Sequence, residues 1–423
     1  MLPIQLFRQD KERIVAGLKK KNFKDIQLVD QIIELDERRR QVQVENDQLA
    51  ASSNAAAKQI GQLMAQGKKE EAEALKAQVS SSKEQSRLLA QQLAELENAV
   101  QELLLSLPNL PHNSVPDGRT PEENEVVRQG GSRPDLSGQQ LAHWELAEKY
   151  RLIDFEMGTK ITGSGFPVYT GQGARLQRAL ISYFLNYNIE AGYQEFYPPY
   201  MVNADSAFGT GQLPDKEGQM YHVTADGLYL IPTAEVPVTN IYRDTIVSEA
   251  ELPVRMTAYS PCFRREAGSY GKDVRGLNRV HQFDKVEIVQ LTHPDKSYEA
   301  LEAMVAHVEQ LVQSLGLEYR ILRLCGGDMS FTSALTYDFE VYSAAQERWL
   351  EVSSVSNFEN YQTNRMKIRF KDGSGKPQLL HSLNGSSLAL PRIMACLLEN
   401  HQTPEGINIP GPLQSYFGKS MIQ

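Results

Sequence analysis

Between residues 27 and 105 the chain carries no proline, and that absence constrains its fold more than any other feature. The stretch is rich in Ala, Gln, Glu, Leu and Lys, residues that lose little side-chain freedom on entering a helix. Ile32, Leu35, Val42, Leu49, Ala56, Ile60 and Leu63 mark an apolar stripe at spacings of mostly three, four or seven. Gln66-Gly67-Lys68-Lys69 interrupts it, and it resumes at Ala72, Leu75, Val79, Leu89, Leu93, Leu96, Val100 and Leu103. Two matched helices about a short turn predict an antiparallel coiled-coil hairpin. At about 1.5 Å per residue, arms of this length reach roughly 55–60 Å.

Three prolines, Pro108, Pro111 and Pro116, close the helical texture. Proline lacks the N–H a helix needs, so a domain boundary is expected near residue 110, separating 1–110 from 111–423. The second part alternates short β-rich runs with helical segments, which predicts an α+β fold on a mostly antiparallel sheet with flanking helices.

Composition narrows the class. Of 423 residues, 41% are hydrophobic and 23% charged, a globular balance with ample material for a core. No apolar run approaches a membrane span, and the first residues lack a signal peptide's apolar stretch, so a cytoplasmic location is expected. Cys262, Cys325 and Cys396 have no paired spacing, so neither a disulfide framework nor a zinc site is expected. The net charge of −9 excludes a general nucleic-acid coat. A local surplus remains in the first 24 residues, where Arg8, Lys11, Arg13, Lys19, Lys20, Lys21 and Lys24 outnumber Asp10 and Glu12. Such a run suits phosphates, or simply a solvated helix face.

The chemistry concentrates downstream. Phe263-Arg264-Arg265-Glu266 leads into a Gly-rich basic loop, and the chain returns as a strand from Val280 to Val289. Arginine, an acid and an aromatic on paired strands suit the phosphate, base and sugar of a nucleotide. Later, Asn384-Gly385-Ser386-Ser387 reads as a small-residue turn entering a helix that bears Arg392. Between them lies Glu351-Val352-Ser353-Ser354, and upstream Thr233-Ala234-Glu235. Each piece alone is commonplace: an ion-pair face, a backbone turn, an alternating strand, a loop cap. Their order and spacing together resemble motifs 2 and 3 of class II aminoacyl-tRNA synthetases. The segment Tyr169 to Pro199, a helix followed by a Pro-Pro strand, resembles motif 1 of that class.

The surrounding residues are similar to the bacterial-type seryl-tRNA synthetase family over nearly the whole chain. That resemblance implies formation of seryl-adenylate from serine and ATP, then transfer to tRNA(Ser), with tRNA(Sec) a further candidate acceptor. It implies that Arg264 bridges the amino-acid carboxylate and the α-phosphate, and that Arg392 meets the far phosphate. Glu266 would accept from the adenine amino group and Phe283 would stack on the ring. Arg265, Val352 and Ser353 would complete the ATP site, and Glu351 and Ser354 would ligate Mg²⁺. Thr233, Ala234, Glu235, Glu287 and Ser386 would hold serine together with Arg264. The coiled-coil arm would grip tRNA through placed cations such as Lys58, Lys68, Lys69, Lys76, Lys83 and Arg87. The loop Ala267 to Arg279, with Lys272, Arg275 and Arg279, would meet ATP and the acceptor end. A homodimer is implied. Ser387 and Pro391 depart from the family's common glycines and Ser382 from its threonine, leaving Arg392 in register. Two rivals are a ligase that loads a carrier protein and an inactive paralogue. The first is disfavoured by the full arm, the second by the presence of Arg264, Glu266, Glu351 and Arg392.

Overall fold

A computed structural model describes residues 1–136, 138, 140–266 and 275–423, in two compact units, Met1–Pro108 and Asn109–Gln423. In the first unit, two short helices, α1 (Ile4–Gln9) and α2 (Lys11–Lys20), precede two helices of 38 residues each, α3 (Leu28–Ala65) and α4 (Lys69–Ser106). The long pair packs as a hairpin along the stripe legible in the sequence. Ile32, Val42 and Ala72 are fully buried in it, and Val100 nearly so. The reversal uses Gly67 at φ +78°, a left-handed conformation that costs glycine little. Asp36, buried on α3, accepts from Arg8 of α1 at 2.6 and 2.8 Å and from Arg39 at 3.1 Å, which ties the first helix to the base of the hairpin.

The second unit is built on an eight-stranded sheet. Its strands in chain order are β1 (Glu125–Gly130), β2 (Gln194–Glu195), β3 (Val254–Phe263) and β4 (Gln282–Thr292), then β5 (Tyr319–Arg323), β6 (Leu335–Ser343), β7 (Arg348–Asn357) and β8 (His381–Ala389). Across the sheet they run β1-β5-β6-β7-β8-β4-β3-β2. Every pair is antiparallel except β2 with β3 at the edge. This is the mostly antiparallel sheet with flanking helices that the sequence predicts.

Helices α5 (Gly171–Glu190), α6 (Ser297–Ser314) and α7 (Leu390–Asn400) pack against the sheet. In α6, Leu301, Met304, Val305, Val308, Leu311 and Val312 recur at helical spacing and are all buried. They join Phe184, Ile288, Phe339, Val355 and Leu398 in one apolar cluster. Period-two alternation along β4 sends Val286 and Ile288 into that cluster, leaving Phe283, Lys285 and Glu287 for the opposite face.

One sequence reading is corrected here. Asn384 to Ser387 does not form a turn: it is the interior of β8, with Gly385 paired to Ile288 on one side and to Val355 on the other. Small residues are required there by close strand packing. A Cβ on Gly385 would meet the Val355 side chain at 3.0 Å.

Candidate active site

Two β-bulges put the polar groups of the central strands on one face. On a regular strand Glu351 and Ser354, three residues apart, would point to opposite sides. On β7 Val352 is an extra residue, because Glu351 pairs with Glu340 while Ser353 pairs with Phe339. The bulge reverses the alternation, so Glu351 and Ser354 share a face. A matching shift between β4 and β8 pairs Lys285 with Ala389 but Glu287 with Ser386. Asn384 and Ser386 therefore share a face with Ala389, and α7 then delivers Arg392 beside it. These groups border a cavity of about 570 Å³.

One end of the cavity is acidic and buried. Glu287, 1% exposed, accepts from Thr233 Oγ1 at 3.2 Å and Asn384 Nδ2 at 3.2 Å, and pairs with Lys285 Nζ at 2.5 Å. Burial raises its carboxyl above the ordinary range, against the pull of Lys285 and Thr233. Glu235, also buried, accepts from Gln362 Nε2 at 2.6 Å. Burial, then repulsion from Glu287, pushes Glu235 up to about 7. Gln362 is itself fixed by the Ser382 hydroxyl at 2.7 Å and by donation to the Thr210 carbonyl at 3.1 Å. Two desolvated carboxylates with one lysine between them favour a ligand that brings a cation and further donors.

Arg264, at the end of β3, stands next to this acidic end. Its Nε donates to the Pro232 carbonyl at 3.4 Å, and its guanidinium lies 5.2 Å from the centre of the Phe283 ring. Farther along the cavity, Glu266 pairs with Arg279. Arg392 donates from Nε to the Asn278 carbonyl at 3.1 Å and from Nη1 to the Glu351 carbonyl at 2.8 Å. Its Nη1 also lies 3.6 Å from the Glu351 carboxylate. The cavity thus holds two buried carboxylates near Arg264 and, elsewhere on its wall, Arg392 beside Glu351, an arrangement that suits an ammonium at the buried carboxylates and phosphates at the arginines.

Thr233, Glu235, Arg264, Glu266, Phe283 and Glu287 all line the cavity, as do Glu351, Val352, Ser353, Ser354, Ser386 and Arg392. Three expected residues do not: Ala234, Arg265 and Arg275, the last with its guanidinium 4.5 Å over the Trp144 ring. Ala234 is buried in a neighbouring apolar cluster, and Arg265 is exposed, with its backbone N–H on the Gln219 carbonyl. Lys272 and the rest of 267–274 lie outside the described residues. Sequence reasoning missed Lys285 as a pocket group, although its spacing of two from Phe283 and Glu287 signalled the same strand face. Asn278, Gln362 and Asn384 carried no comparable signal. For a metal, Glu351 and Ser354 offer only hard oxygen donors. Behind them Asp338, paired in register with Ser354, has a buried Oδ1 without a partner. Burial, followed by repulsion from Glu351, holds Asp338 well above the carboxylate range. That donor set fits a magnesium-like cation. Among the described residues no group of three or more His, Cys, Asp or Glu is arranged to hold a metal, and no helix is long and apolar enough to cross a membrane.

The relatives agree with this architecture at both ends of the chain. Residues 1–111 match the family described as the seryl-tRNA synthetase N-terminal domain, and residues 221–401 the tRNA synthetase class II core domain (G, H, P, S and T). A serine–tRNA ligase of Salinibacter ruber is 50% identical over 100% of this chain and 99% of its own length. The crystal structure of seryl-tRNA synthetase from Pyrococcus horikoshii complexed with ATP superposes with a TM-score of 0.91 at 32% identity, covering 100% of this chain and 99% of that one. The cytoplasmic serine–tRNA ligase of Naegleria fowleri in complex with AMP gives 0.89 at 28% identity, with the same coverage. On full-length identity and a shared fold, the chain belongs to the seryl-tRNA synthetase family.

Proposed function

We propose that the cavity is where this serine–tRNA ligase joins serine to ATP, with the acidic end taking the amino acid and the arginine-lined end the triphosphate. The observation that carries the reading is that one cavity is lined by two buried carboxylates, Glu235 and Glu287, together with Arg264 and Arg392. The serine ammonium and hydroxyl are both donors, and they satisfy the two carboxylates and Thr233. The serine carboxylate faces Arg264. A carboxylate oxygen of serine bonds to the α-phosphorus of ATP while the bond from that phosphorus to the bridging β-oxygen breaks, and pyrophosphate leaves with the electron pair. No side chain gains or loses a covalent bond in this step. Arg264 spans the two anions and holds them in line, and Arg392 takes up charge as it moves toward the leaving group. Phe283 offers a face for the adenine ring and Glu266 an acceptor for its amino group, with the backbone of Val352 and Ser353 beside them. Arg265 and Ala234 act through charge and backbone rather than by direct contact. Glu351 and Ser354 would hold Mg²⁺, which when bound supplies neutralisation of phosphate charge.

In the second half-reaction a hydroxyl of the terminal ribose of tRNA(Ser) bonds to the seryl carbonyl carbon and gives up its proton. The bond from that carbon to the phosphate oxygen breaks, and AMP leaves with the electron pair. A further acceptor is tRNA(Sec). The hairpin α3–α4 is assigned to the RNA: its lengthwise face and scattered cations suit a duplex read by shape. A homodimer is assigned to the edge of the sheet at β2, beyond which Tyr197 is 76% and Met201 48% exposed. The test of the reading is ATP–pyrophosphate exchange by the purified protein with serine, alanine, threonine and glycine in parallel. Exchange with serine alone is expected, because alanine would leave a buried acceptor unpaired and threonine adds a methyl group. Exchange driven by another amino acid would move the reading to a carrier-loading ligase.

A further inference from the structure

A buried histidine that the reaction as described does not use stands behind the phosphate end of the cavity. His143 opens the short helix His143–Lys149, and Glu399 lies near the end of α7, the helix that carries Arg392. Both side chains are fully buried, and His143 Nδ1 lies 2.6 Å from Glu399 Oε1. Glu399 also accepts from the His143 backbone N–H at 3.0 Å, from Gln346 Nε2 at 2.9 Å and from the Ser343 hydroxyl. Burial pushes the Glu399 carboxyl upward, but its donors, His143 foremost, outweigh that and hold it below the ordinary range.

The opposite ring nitrogen fixes the tautomer. His143 Nε2 accepts from the backbone N–H of Leu277 at 2.8 Å, so Nε2 carries no proton and Nδ1 donates to Glu399. The loop backbone is pressed close to the ring. A Cβ built on Gly276, at φ +65°, would stand 2.2 Å from Nε2. One residue further, the Asn278 carbonyl accepts from Arg392 Nε at 3.1 Å, and Asn278 Nδ2 donates to Gln346 at 2.9 Å. The contacts close a circuit: Glu399 to His143, His143 to Leu277, Asn278 to Arg392, and Arg392 back along α7 to Glu399.

We propose that His143 is a positioning residue for ATP: oriented by Glu399, it holds the backbone of 276–278 where Asn278 fixes the Arg392 guanidinium against the far phosphates. This deepens the functional reading above and rests on its assignment of Arg392. The role is indirect, since His143 does not line the cavity.

The test is ATP–pyrophosphate exchange on the intact protein for the wild type, His143→Asn, His143→Gln and Gly276→Ala. Asparagine restores an N–H near Nδ1 but offers Leu277 no acceptor. Glutamine places a carbonyl oxygen near Nε2 and can accept from Leu277. His143→Asn is expected to raise the KM for ATP on the order of tenfold, with the KM for serine changed by less than about twofold. His143→Gln should recover most of that loss. Gly276→Ala should reproduce the rise in ATP KM with the ring intact, and it tests the contact even where His143→Asn does not fold. Equal effects of Asn and Gln, equal changes in the two KM values, or an unchanged ATP KM in Gly276→Ala would each reduce His143 to core packing and overturn the proposal. A wild type without serine-dependent exchange would instead overturn the functional reading itself.

Discussion

Glu235 is the side chain whose environment most sharply constrains how the pocket works. Its carboxyl sits at about 7, chiefly because it is buried and next because Glu287 is near. Serine binding, as assigned, needs the ionised form. The sign follows directly: below about pH 7 a proton competes with the serine ammonium, so the KM for serine should rise as pH falls, approaching tenfold per unit. Glu235→Gln should raise the KM at neutral pH and flatten that dependence. A serine KM that stays level between pH 8 and pH 6 in the wild type would remove Glu235 from ammonium binding. Lys285, the neighbouring cation on the same face, is already committed to Glu287 and so does not take over the bridging of two anions from Arg264. Arg264→Ala should lower exchange by about 10²–10³-fold or more without changing the folded state by circular dichroism. Exchange within a few-fold of wild type would contradict its role.

At the level of elements, the site depends on backbone irregularities that the sequence did not announce. The resemblance to a known pattern singled out Glu287, Ser386 and Arg392, the spacing of Glu351 and Ser354 suggested a shared cation, and all five border the cavity. What brings Glu351 and Ser354 onto one face is the extra residue on β7, and no residue type in Glu351-Val352-Ser353-Ser354 signals it. The expected turn at Asn384 became strand interior because β8 is claimed on both sides, by β4 and β7, and pairing overrides small-residue propensity. Gln362, Asn278 and His143 reach their partners across more than a hundred residues of chain, a distance that no local pattern encodes. The hairpin was the easiest element to read, because a helix stripe is local. Its base hides one polar group. Asp36 is pushed up by burial, but the hydrogen bonds from Arg8 and Arg39 win and hold it below the ordinary carboxylate value. Its stabilising contribution is therefore complete above that ordinary value and disappears as pH falls through the depressed one. Asp36→Ala should cost the N-terminal unit about 1–3 kcal/mol at pH 7, measured by urea unfolding. A loss below a few tenths of a kcal/mol would show the arginines to be solvated surface.

For the whole molecule, the division of labour follows from where the chemistry lies. The residues assigned to activation all belong to Asn109–Gln423, and the 38-residue helices of the other unit hold none of them. Replacing Asp30–Glu102 by a short linker should therefore leave serine-dependent exchange within about threefold of wild type and lower tRNA(Ser) charging by at least about 10²-fold, from the loss of most of the RNA contact. Undiminished charging would show that the hairpin is not the RNA-gripping element. The central claim concerns one cavity and which of its charged groups meets which part of the ligand. The measurement that tests it most directly is a crystal structure of the protein with a non-hydrolysable seryl-adenylate analogue. The account predicts the seryl ammonium and hydroxyl on Glu235, Glu287 and Thr233, Arg264 against both the carbonyl and the phosphate mimic, and the adenine on Phe283. An analogue seated with its serine end away from the two carboxylates, or with Arg264 touching neither group, would contradict it.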